Sequence, residues 1–540
     1  MSEARRGLIR VTTNYGRLMA TLVIGVILTR VQLDWVGVDG FALIAAIVAS
    51  SGLAAMFQDI MRFSMVRELG TVWHGMNAGD RDEESERHFR RVYASSFLLC
   101  GAIALLSLVV FAAFLWLVND SIWPFDTLAE EYRTAAKWML VAEGVKTCVL
   151  ILLAPAFNMY VVMERFPENN LWLTLNRLTY LASALVLFAI FGSGQIELSL
   201  ILYGVSVSVL FMVIQLIAVA RIMIGDARLR PKLGMADRNA LREIVGTFGW
   251  NSAVITAMNL HERVGALIML GFFGLWGSGI FSLAMRMVSY VRMLTLGVTF
   301  GLDAVSARLS SSEDSSAFRS VVRLSTRLNA YISIPAAITV FLLAEPLLEL
   351  WVGQTANEPD PVTGRGFISA TAVLTKIMII GMLSRAISDV WMRMLYGAGH
   401  IRRYAPMILA GGIANPIIAC LLITWLPVSM SWTGVALSFS IVLFLVHLIM
   451  LPLANGRYLE MKWQELLGAL CRPAVLAAIP ALIYSIVLMW TEPVPWWVIF
   501  PACIVYAVAY GGLGYVFGLE PQERRQIIAM LTRVRNRRAQ

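Results

Sequence analysis

The sequence predicts an all-α polytopic membrane protein with about fourteen transmembrane helices. The chain has 540 residues, of which 58% are hydrophobic, and its mean hydropathy is +0.71. Only 15% of the residues are charged, against roughly 25% in an ordinary soluble domain. Apolar stretches of about 20 residues, which is the length of a membrane-spanning helix, recur along almost the whole chain. This leaves no room for a sizeable soluble domain.

Hydropathy divides the chain into fourteen predicted spans. Their boundaries are set where the apolar runs meet charged or turn-forming residues. The predicted spans are 14–33, 41–61, 93–118, 136–161, 170–191, 198–220, 246–271, 276–302, 328–349, 367–396, 404–426, 432–454, 473–490 and 495–517.

The charges of the connections alternate along the chain, as the positive-inside rule requires. The connection after the first span contains Asp34 and Asp39 and no base. The segments 62–91 and 221–242, in contrast, are rich in arginine. Because this alternation holds at nearly every connection, we predict that both termini are cytoplasmic.

The sequence argues against an enzyme, and it predicts no catalytic residue, metal site or cofactor. The five cysteines form no CxxC pair. His261-Glu262 would begin an HExxH zinc motif, but Gly265 stands where the second histidine is required. The sequence has no GxxxxGK[ST] phosphate-binding loop, and none of its outward connections is long enough for an external catalytic domain.

Ionisable side chains interrupt the apolar stretch NLHERVGALIMLGFFG at 259–274. On a helix, Ser252, Thr256, Asn259 and Arg263 share one face, because they are spaced by four, three and four residues. Glu262 flanks this face. Since a charge at the centre of a bilayer costs about 3 kcal/mol on insertion scales, we expect the face to meet other helices or a water-filled cavity.

The bases within or at the edges of the spans outnumber the acids. Local pairing of Glu143 with Lys146, or of Asp389 with Arg385 or Arg393, neutralises only some of them and leaves an excess of about six positive charges. A water-filled cavity with this surplus of fixed positive charge attracts anions, and guanidinium groups suit phosphate oxygens. The substrate should therefore carry phosphate or carboxylate. The bases are Arg17, Arg30, Lys137, Lys146, Arg177, Arg263, Arg286, Arg292, Lys376, Arg385 and Arg393, and the acids are Asp59, Glu143, Glu262, Asp303 and Asp389.

Two groups of these residues are predicted to have a function. Three of the bases lie near span ends, where a structural role is expected. An acid that changes its pairing could couple a proton or a sodium ion to transport. The predicted substrate-binding bases are Arg17, Lys146, Arg177, Arg263, Arg286 and Arg385, and the predicted ion-coupling acids are Asp59, Glu262, Asp303 and Asp389.

The chain contains a weak internal repeat with a period of about six spans. VGVDGFALIAAIVAS after the first span and GLWGSGIFSLAMRMV after the seventh each begin with a Gly-rich turn and continue as a long apolar helix. Each helix has an acid near its end, Asp59 or Asp303. Such a parallel repeat predicts two lobes with a site between them. The predicted divisions are an N-lobe at 1–223, a C-lobe at 224–455, two extra spans at 456–518 and a basic cytoplasmic tail at 519–540.

The tail has two interpretations. Its sequence LEPQERRQIIAMLTRVRNRRAQ is basic, with apolar residues on one side. It could lie on the anionic inner leaflet, or it could be a solvated helix that only enforces the topology.

The sequence resembles the multidrug/oligosaccharidyl-lipid/polysaccharide exporter (MOP) superfamily, in particular its Wzx-type polysaccharide transporter branch. The resemblance covers most of the chain to about residue 455, and the last two spans resemble the extra pair of fourteen-span members. It is carried by VGVDGFALIAAIVAS, by MVREL at 65–69, by VMERF at 162–166, by FGLWGSGIFSLAMRMVSYVRMLTLGV and by the LLELWVG that ends the ninth span.

The resemblance implies two six-helix lobes in a V-shape that alternate between inward-open and outward-open states. It implies a flippase of the bacterial cytoplasmic (inner) membrane that moves a polyprenyl-diphosphate-linked, anionic oligosaccharide to the outer face for polysaccharide or lipopolysaccharide synthesis. Membrane lipids and polysaccharide assembly machinery are the implied partners, and no nucleic acid is expected. Three alternatives remain: an ion-coupled drug exporter of the same superfamily, which should prefer an acidic lumen; a membrane enzyme of glycan assembly, which would need paired carboxylates or a metal; and a scaffold that does not transport.

Overall fold

The computed structural model describes residues 3–78, 83–246, 249–311, 315–353, 364–490 and 496–518, and this part of the chain is almost entirely helical. The predicted tail at 519–540 lies outside the described residues. The α-helices are α1 (Glu3–Ala78), α2 (Glu83–Asn119), α3 (Glu130–Val162), α4 (Phe166–Phe191), α5 (Ile196–Gly225), α6 (Arg238–Gly246), α7 (Gly249–Asn259), α8 (Gly265–Thr299), α9 (Leu302–Ser311), α10 (Ser315–Val352), α11 (Phe367–Gly397), α12 (Ile401–Trp425), α13 (Val428–Ser431), α14 (Gly434–Leu443), α15 (Leu451–Asn455), α16 (Trp463–Trp490) and α17 (Trp496–Leu513).

Short 3₁₀-helical and π-helical segments join or end several of these helices. Ala227–Leu229, Leu233–Met235 and Gly456–Leu459 are 3₁₀ turns. The π-helices are Leu260–Val264, which joins α7 to α8, Phe444–Met450, which joins α14 to α15, and Gly514–Gly518, which ends the described part of α17.

The fold confirms a multi-pass helical membrane protein. Within the described residues, 12 helices are long and apolar enough to cross a membrane. Two of them are much longer than the others, at 65 and 62 residues, and about 20 residues suffice for one crossing. Since each of these two contains a kink, each provides two crossings, and the total agrees with the predicted fourteen.

The two kinks lie in the Gly-rich turns of the internal repeat. Gly37 has φ 69° and ψ −172°, and Gly274 has φ 63° and ψ −158°. Residues with a side chain are strongly disfavoured in this region of backbone space. The sequence predicted a connection at each turn, whereas the structure has a break of one residue within a continuous helical run. Both copies of the repeat therefore turn at a glycine.

The second half of α1 is longer than the predicted span 41–61. The helix continues to Ala78 and includes Arg62 and Arg67, which the sequence analysis placed in a connection. Hydropathy identifies only the apolar part of a helix, and a helix continues through charged residues as long as its backbone is paired. Arg62 thus belongs to a membrane helix.

The chain divides into two compact units. The predicted lobe boundaries after residues 223 and 455 stay predictions. Unit 1 comprises Met1–Met285, Trp351–Thr371 and Ala405–Phe439, and unit 2 comprises Arg286–Leu350, Ala372–Tyr404 and Ser440–Gln540.

The helices α1 to α5 form the main packing of unit 1. α3 packs against α2 and α5, and α1 packs against α2, α3, α4 and α7. Buried polar contacts fix the register of these helices: Gln32 donates to the Tyr203 hydroxyl at 2.9 Å, and Asn176 donates to Gln215 Oε1 at 3.2 Å. The first contact joins α1 to α5, and the second sets the position of α4, on which Arg177 lies, relative to α5.

The segment 226–246 is docked on unit 1 by aromatic and polar contacts. Tyr93, which is fully buried, donates its hydroxyl to the Leu229 carbonyl at 3.0 Å. Asp226 caps the turn Ala227–Leu229 by accepting from the Arg228 backbone N–H at 3.0 Å, and it pairs with the Arg228 guanidinium. Arg228 in turn lies 4.7 Å from the Trp73 ring centroid. A connection that the sequence shows only as basic is therefore a folded part of unit 1.

Unit 2 has a smaller apolar core between α10, α16 and α17. Ala330, Ile334, Leu476, Ala477 and Tyr510 are buried together there. Between membrane helices such side chains associate by van der Waals packing, because lipid tails are as apolar as the side chains themselves. This core holds the middle parts of α10 and α16 side by side.

Candidate functional site

Ionisable side chains of unit 1 interact within its membrane helices. Arg17 is an electrostatic neighbour of both Arg62 and Arg177, and Asp59 is a neighbour of both Arg62 and Arg263. Three elements supply them: α1, α4 and the π-helix after α7. We call this set, Arg17, Asp59, Arg62, Arg177, Glu262 and Arg263, the unit 1 charged cluster.

A polar contact between α1 and α4 positions Arg17 and Arg177. Asn170, which is buried on α4, donates to Asn14 Oδ1 at 2.8 Å and lies 3.3 Å from Thr13 Oγ1. Arg17 follows Asn14 by one helical turn, and Arg177 follows Asn170 by two turns. The two arginines are therefore brought to neighbouring positions even though their like charges repel.

Arg263 is held by its own helix and by a glycine of α1. Its Nε donates to Asn259 Oδ1 at 2.7 Å, and its Nη1 lies 3.5 Å from the Val48 carbonyl oxygen. A Cβ on Gly52 would overlap Nη1 and Cζ of Arg263 and would lie 2.6 Å from Nε. Gly52 thus leaves the space that the guanidinium occupies.

The π-helix Leu260–Val264 places His261 and Arg263, which are close in sequence, in different surroundings. His261 is fully buried and meets Phe439 edge to face, with the ring centroids 6.5 Å apart, whereas Arg263 is half-buried on the side of α1. A single π-helical turn rotates the residues after it onto a different face of the helix from the one they would have in a regular α-helix. Such turns are frequent at functional sites. Asn259 and Arg263 remain on one face, as the sequence predicted.

The charges of the cluster do not balance. Four arginines stand against two carboxylates, which leaves two positive charges among these six side chains. Asp59 and Arg177 are exposed and the other four are half-buried. Since charges that face lipid at membrane depth are costly, the exposed members must border water. The cluster can therefore receive an anion, and guanidinium forks bind phosphate oxygens in particular.

Lys146 has a different environment from the arginines. Its ammonium pairs with Glu143, its Nζ lies 3.3 Å from the Tyr180 hydroxyl, and both charged side chains are almost completely buried. The predicted pairing with Glu143 is thus present. A buried, paired ammonium has little access to a substrate, so its surroundings favour a structural role.

The remaining predicted site residues belong to unit 2. Arg286 on α8 is half-buried, and Arg385 on α11 is 3% exposed. Asp303 on α9 is half-buried, and its carboxylate lies 4.0 Å from Arg393 Nη1. The substrate-binding role predicted for Arg286 and Arg385 stays a proposal.

Asp389 has a partner that the sequence analysis did not name. It accepts from Arg292 Nε of α8 at 2.8 Å, and it is 8% exposed. One residue earlier, Ser388 lies 2.7 Å from Nδ1 of the buried His447 on the π-helix Phe444–Met450. Partners on another helix cannot be found from i, i+4 spacing, which is why Arg292 was counted as a base but given no role.

Arg62 is the main residue that the sequence analysis missed. It was assigned to a cytoplasmic connection, whereas the structure puts it on α1 beside Asp59. The signal was the stretch QDIMRFSMVREL, in which Asp59 and Arg62 are three residues apart on an uninterrupted helical pattern. Within the described part of the chain, no three His, Cys, Asp or Glu side chains are grouped so as to hold a metal ion.

Comparisons with known proteins were made by family model, by sequence and by structure. The MatE family model matches residues 255–421. No curated protein matches the sequence.

Solved structures share the fold at low sequence identity. The lipid II flippase MurJ in an inward closed conformation has a TM-score of 0.65 and 12% identity, over 94% of this chain and 99% of that one. An inward-facing MATE-family multidrug resistance transporter has a TM-score of 0.60 and 11% identity, over 80% and 93%. A MOP superfamily transporter from Pyrococcus furiosus, described as having a binding pocket of reverse polarity, has a TM-score of 0.57 and 10% identity, over 83% and 95%.

Proposed function

We propose that this chain belongs to the MOP superfamily and that it is a flippase for a polyprenyl-diphosphate-linked oligosaccharide in the bacterial cytoplasmic membrane. The coarser part of this function, a membrane transporter or flippase, has the support of both the MatE match and the shared fold. The substrate class is inferred from the charge of the chain's own helices.

The observation that carries the proposal is the positive excess of the unit 1 charged cluster. Arg17 is close enough to Arg62 and to Arg177 to be repelled by both, and Asp59 neutralises at most one of the three. Keeping three guanidinium groups together in membrane helices is unfavourable unless an anion binds them. A diphosphate carries two charges and presents several oxygens to guanidinium donors.

The predicted orientation places Arg17, Asp59 and Arg177 in the cytoplasmic half of the helices. The predicted spans that contain Arg17 and Arg177 start on the cytoplasmic side just before these residues, and Asp59 lies near the cytoplasmic end of its own span. Arg263 lies nearer the middle of the predicted span 246–271. We propose that the headgroup enters from the inner leaflet and that the arginines bind its diphosphate. The lipid tail stays in the bilayer, and an alternation between inward-open and outward-open states then carries the headgroup across. For unit 2, Arg286 and Arg385 stay the proposed substrate-binding residues.

The test is a flipping assay in proteoliposomes with a fluorescent polyprenyl-diphosphate oligosaccharide. We expect Arg17→Gln and Arg177→Gln each to lower the flipping rate by about 10- to 100-fold, because each removes charge-assisted hydrogen bonds to the diphosphate. Arg91→Gln is the matched control, since Arg91 is an exposed arginine on α2 that is not part of the cluster. Normal flipping by both cluster variants would refute the proposed site.

Asp389 is proposed to couple an ion to this movement. Its carboxylate is nearly buried, and its partner Arg292 lies on another helix. Binding of a proton or a sodium ion would weaken that pair and so change which arrangement of α8 and α11 is favoured. Asp389→Asn should therefore abolish the dependence of flipping on a proton or sodium gradient. Glu262, Asp59 and Asp303 are tested in the same way, and unchanged dependence in all four variants would exclude carboxylate coupling.

An ion-coupled drug exporter remains the second candidate, because the MatE model and the MATE-family structures match this chain. An exporter of small cations would prefer an acidic site, whereas the unit 1 charged cluster is positive. The two functions separate in a strain that lacks the protein: loss of surface polysaccharide supports the flippase, and sensitivity to cationic toxins with normal polysaccharide supports the exporter.

A further inference from the structure

Unit 2 contains a second arginine-lined site, distinct from the predicted substrate-binding residues. A cavity of about 420 Å³ lies where α10 and α16 begin. Arg319, Arg323 and Arg327 line it from α10, and Arg472 and Glu465 line it from α16. Since the three arginines of α10 are spaced by four residues, they lie along one face of the helix.

The cavity has a strong positive excess. Among the described residues that line it, four arginines stand against one acid, Glu465. Glu465 pairs with Arg319 at 2.8 Å, and both side chains are exposed. Because water screens an exposed pair and leaves it only weakly stabilising, an incoming anion can compete with Glu465 for Arg319.

Arg327 forms the inner end of this cavity. Its guanidinium is buried, and one Nη2–H donates to the Gly518 carbonyl at 2.8 Å. This contact holds Arg327 against the π-helix at the end of α17, whereas Arg323 and Arg472 are exposed at the outer part. From Arg319 to Arg327 the face extends about 12 Å, at 1.5 Å per residue. The depth and the fixed inner end are those of a pocket rather than of a basic surface.

We propose that this pocket binds the phosphate group of an anionic ligand, and that in the membrane this ligand is a phospholipid headgroup. Arginine presents planar, paired donors that match phosphate oxygens. The pocket lies at the predicted cytoplasmic end of α10, where the helix enters its apolar part, which is the depth of a lipid headgroup. Basic pockets between membrane helices on this side are known to bind anionic headgroups. The lipid assignment rests on the predicted orientation, but not on the proposed transport.

The test measures binding to the purified full-length protein. Bound lipid is counted by native mass spectrometry after titration with phosphatidylglycerol or with zwitterionic phosphatidylcholine, and a parallel titration with inorganic phosphate follows thermal stability. The variant Arg323→Gln/Arg472→Gln changes exposed side chains only and leaves the Arg327 contact in place. We expect it to lower phosphatidylglycerol affinity by at least about tenfold.

Two further variants make the result specific. Arg402→Gln removes an exposed arginine at the start of α12, which does not line the pocket, and should leave the affinity unchanged. Glu465→Gln removes the competing carboxylate and should raise it. If inorganic phosphate stabilises the wild type against heat but not the double variant, the pocket binds phosphate, and its ligand can come from solution instead of from a lipid. If the double variant binds phosphatidylglycerol and phosphate as the wild type does, the proposal is wrong, whatever the flipping assay shows.

Discussion

Gly52 and Arg263 occupy complementary positions in unit 1: the glycine of α1 lacks the side-chain atom that would overlap the guanidinium of Arg263. The two residues are far apart in sequence, and only the packing of α1 against α7 and the π-helix Leu260–Val264 brings them together. Gly52 is therefore a determinant of where a cluster arginine points.

Gly52→Ala should displace Arg263 and impair flipping. The added Cβ cannot coexist with the present guanidinium position, so the side chain must move away from Asn259 and Val48. We expect flipping to fall by about 10-fold or more, as expected for the loss of a charge-assisted contact, with normal membrane insertion. Gly70→Ala is the control on the same helix, because a Cβ there meets nothing within 4 Å. If Gly52→Ala flips at the wild-type rate, the position of Arg263 is unimportant for transport.

The pair of Lys146 and Glu143 should act on stability. Lys146→Met alone leaves a buried carboxylate without its partner, which costs about 3–5 kcal/mol. The double variant Glu143→Leu/Lys146→Met removes both charges and should recover most of that loss. Thermal unfolding in detergent measures both effects. We expect the double variant to flip substrate normally, and a stable double variant without flipping would return Lys146 to the substrate-binding set.

The two kink glycines should be equally intolerant of a side chain. Nothing lies within 4 Å of a Cβ on Gly37, so any loss on substitution comes from the backbone. Gly37→Ala and Gly274→Ala should each destabilise by about 1–3 kcal/mol, because their φ and ψ values lie in a region reserved for glycine. Gly75→Ala, at an open helical position of α1, should be neutral or stabilising by up to about 1 kcal/mol. Equal stability of all three variants in a thermal melt would contradict the kinks.

The docked segment 226–246 should loosen in acid. The hydrogen bonds from the Arg228 guanidinium lower the pKa of Asp226 below its usual range. The ionised carboxylate therefore stabilises the folded state above about pH 4, and this contribution is lost as the pH falls through the lowered pKa. Limited proteolysis of the segment should increase below about pH 4 in the wild type. Asp226→Asn should show the increased cleavage already at neutral pH, with a flatter pH dependence.

Much of the architecture was predictable because a bilayer leaves few choices. Backbone groups in lipid must pair within a helix, so apolar runs of the right length, such as those of α4 and α5, identify their spans. The two long helical runs were harder, since hydropathy records an interruption at Gly37 and Gly274 but not whether the helix resumes after one residue. The end of α1 was misplaced for the related reason that its last turns are polar.

The charged residues were predictable as a population and less so as individuals. Asn259 and Arg263 lie on one face, as their spacing indicated, and Glu143 pairs with Lys146 on one helix. The pairing of Asp389 with Arg292 joins two helices, and the proximity of Arg62 to Arg17 joins the two halves of α1 on either side of the kink at Gly37. Such contacts depend on how helices pack, which spacing along a single helix does not encode.

By itself, the sequence determined that this is a multi-pass helical membrane protein with a surplus of arginine in its spans, because hydropathy and charge are properties of each residue and need no neighbours. The tertiary structure alone decided which of those charges are neutralised and which are grouped. It buried Lys146 against Glu143, and it assembled Arg17, Arg62 and Arg177 from two helices. The physical reason is that the energy of a charge depends on its distance to other charges and to water, and only packing sets those distances.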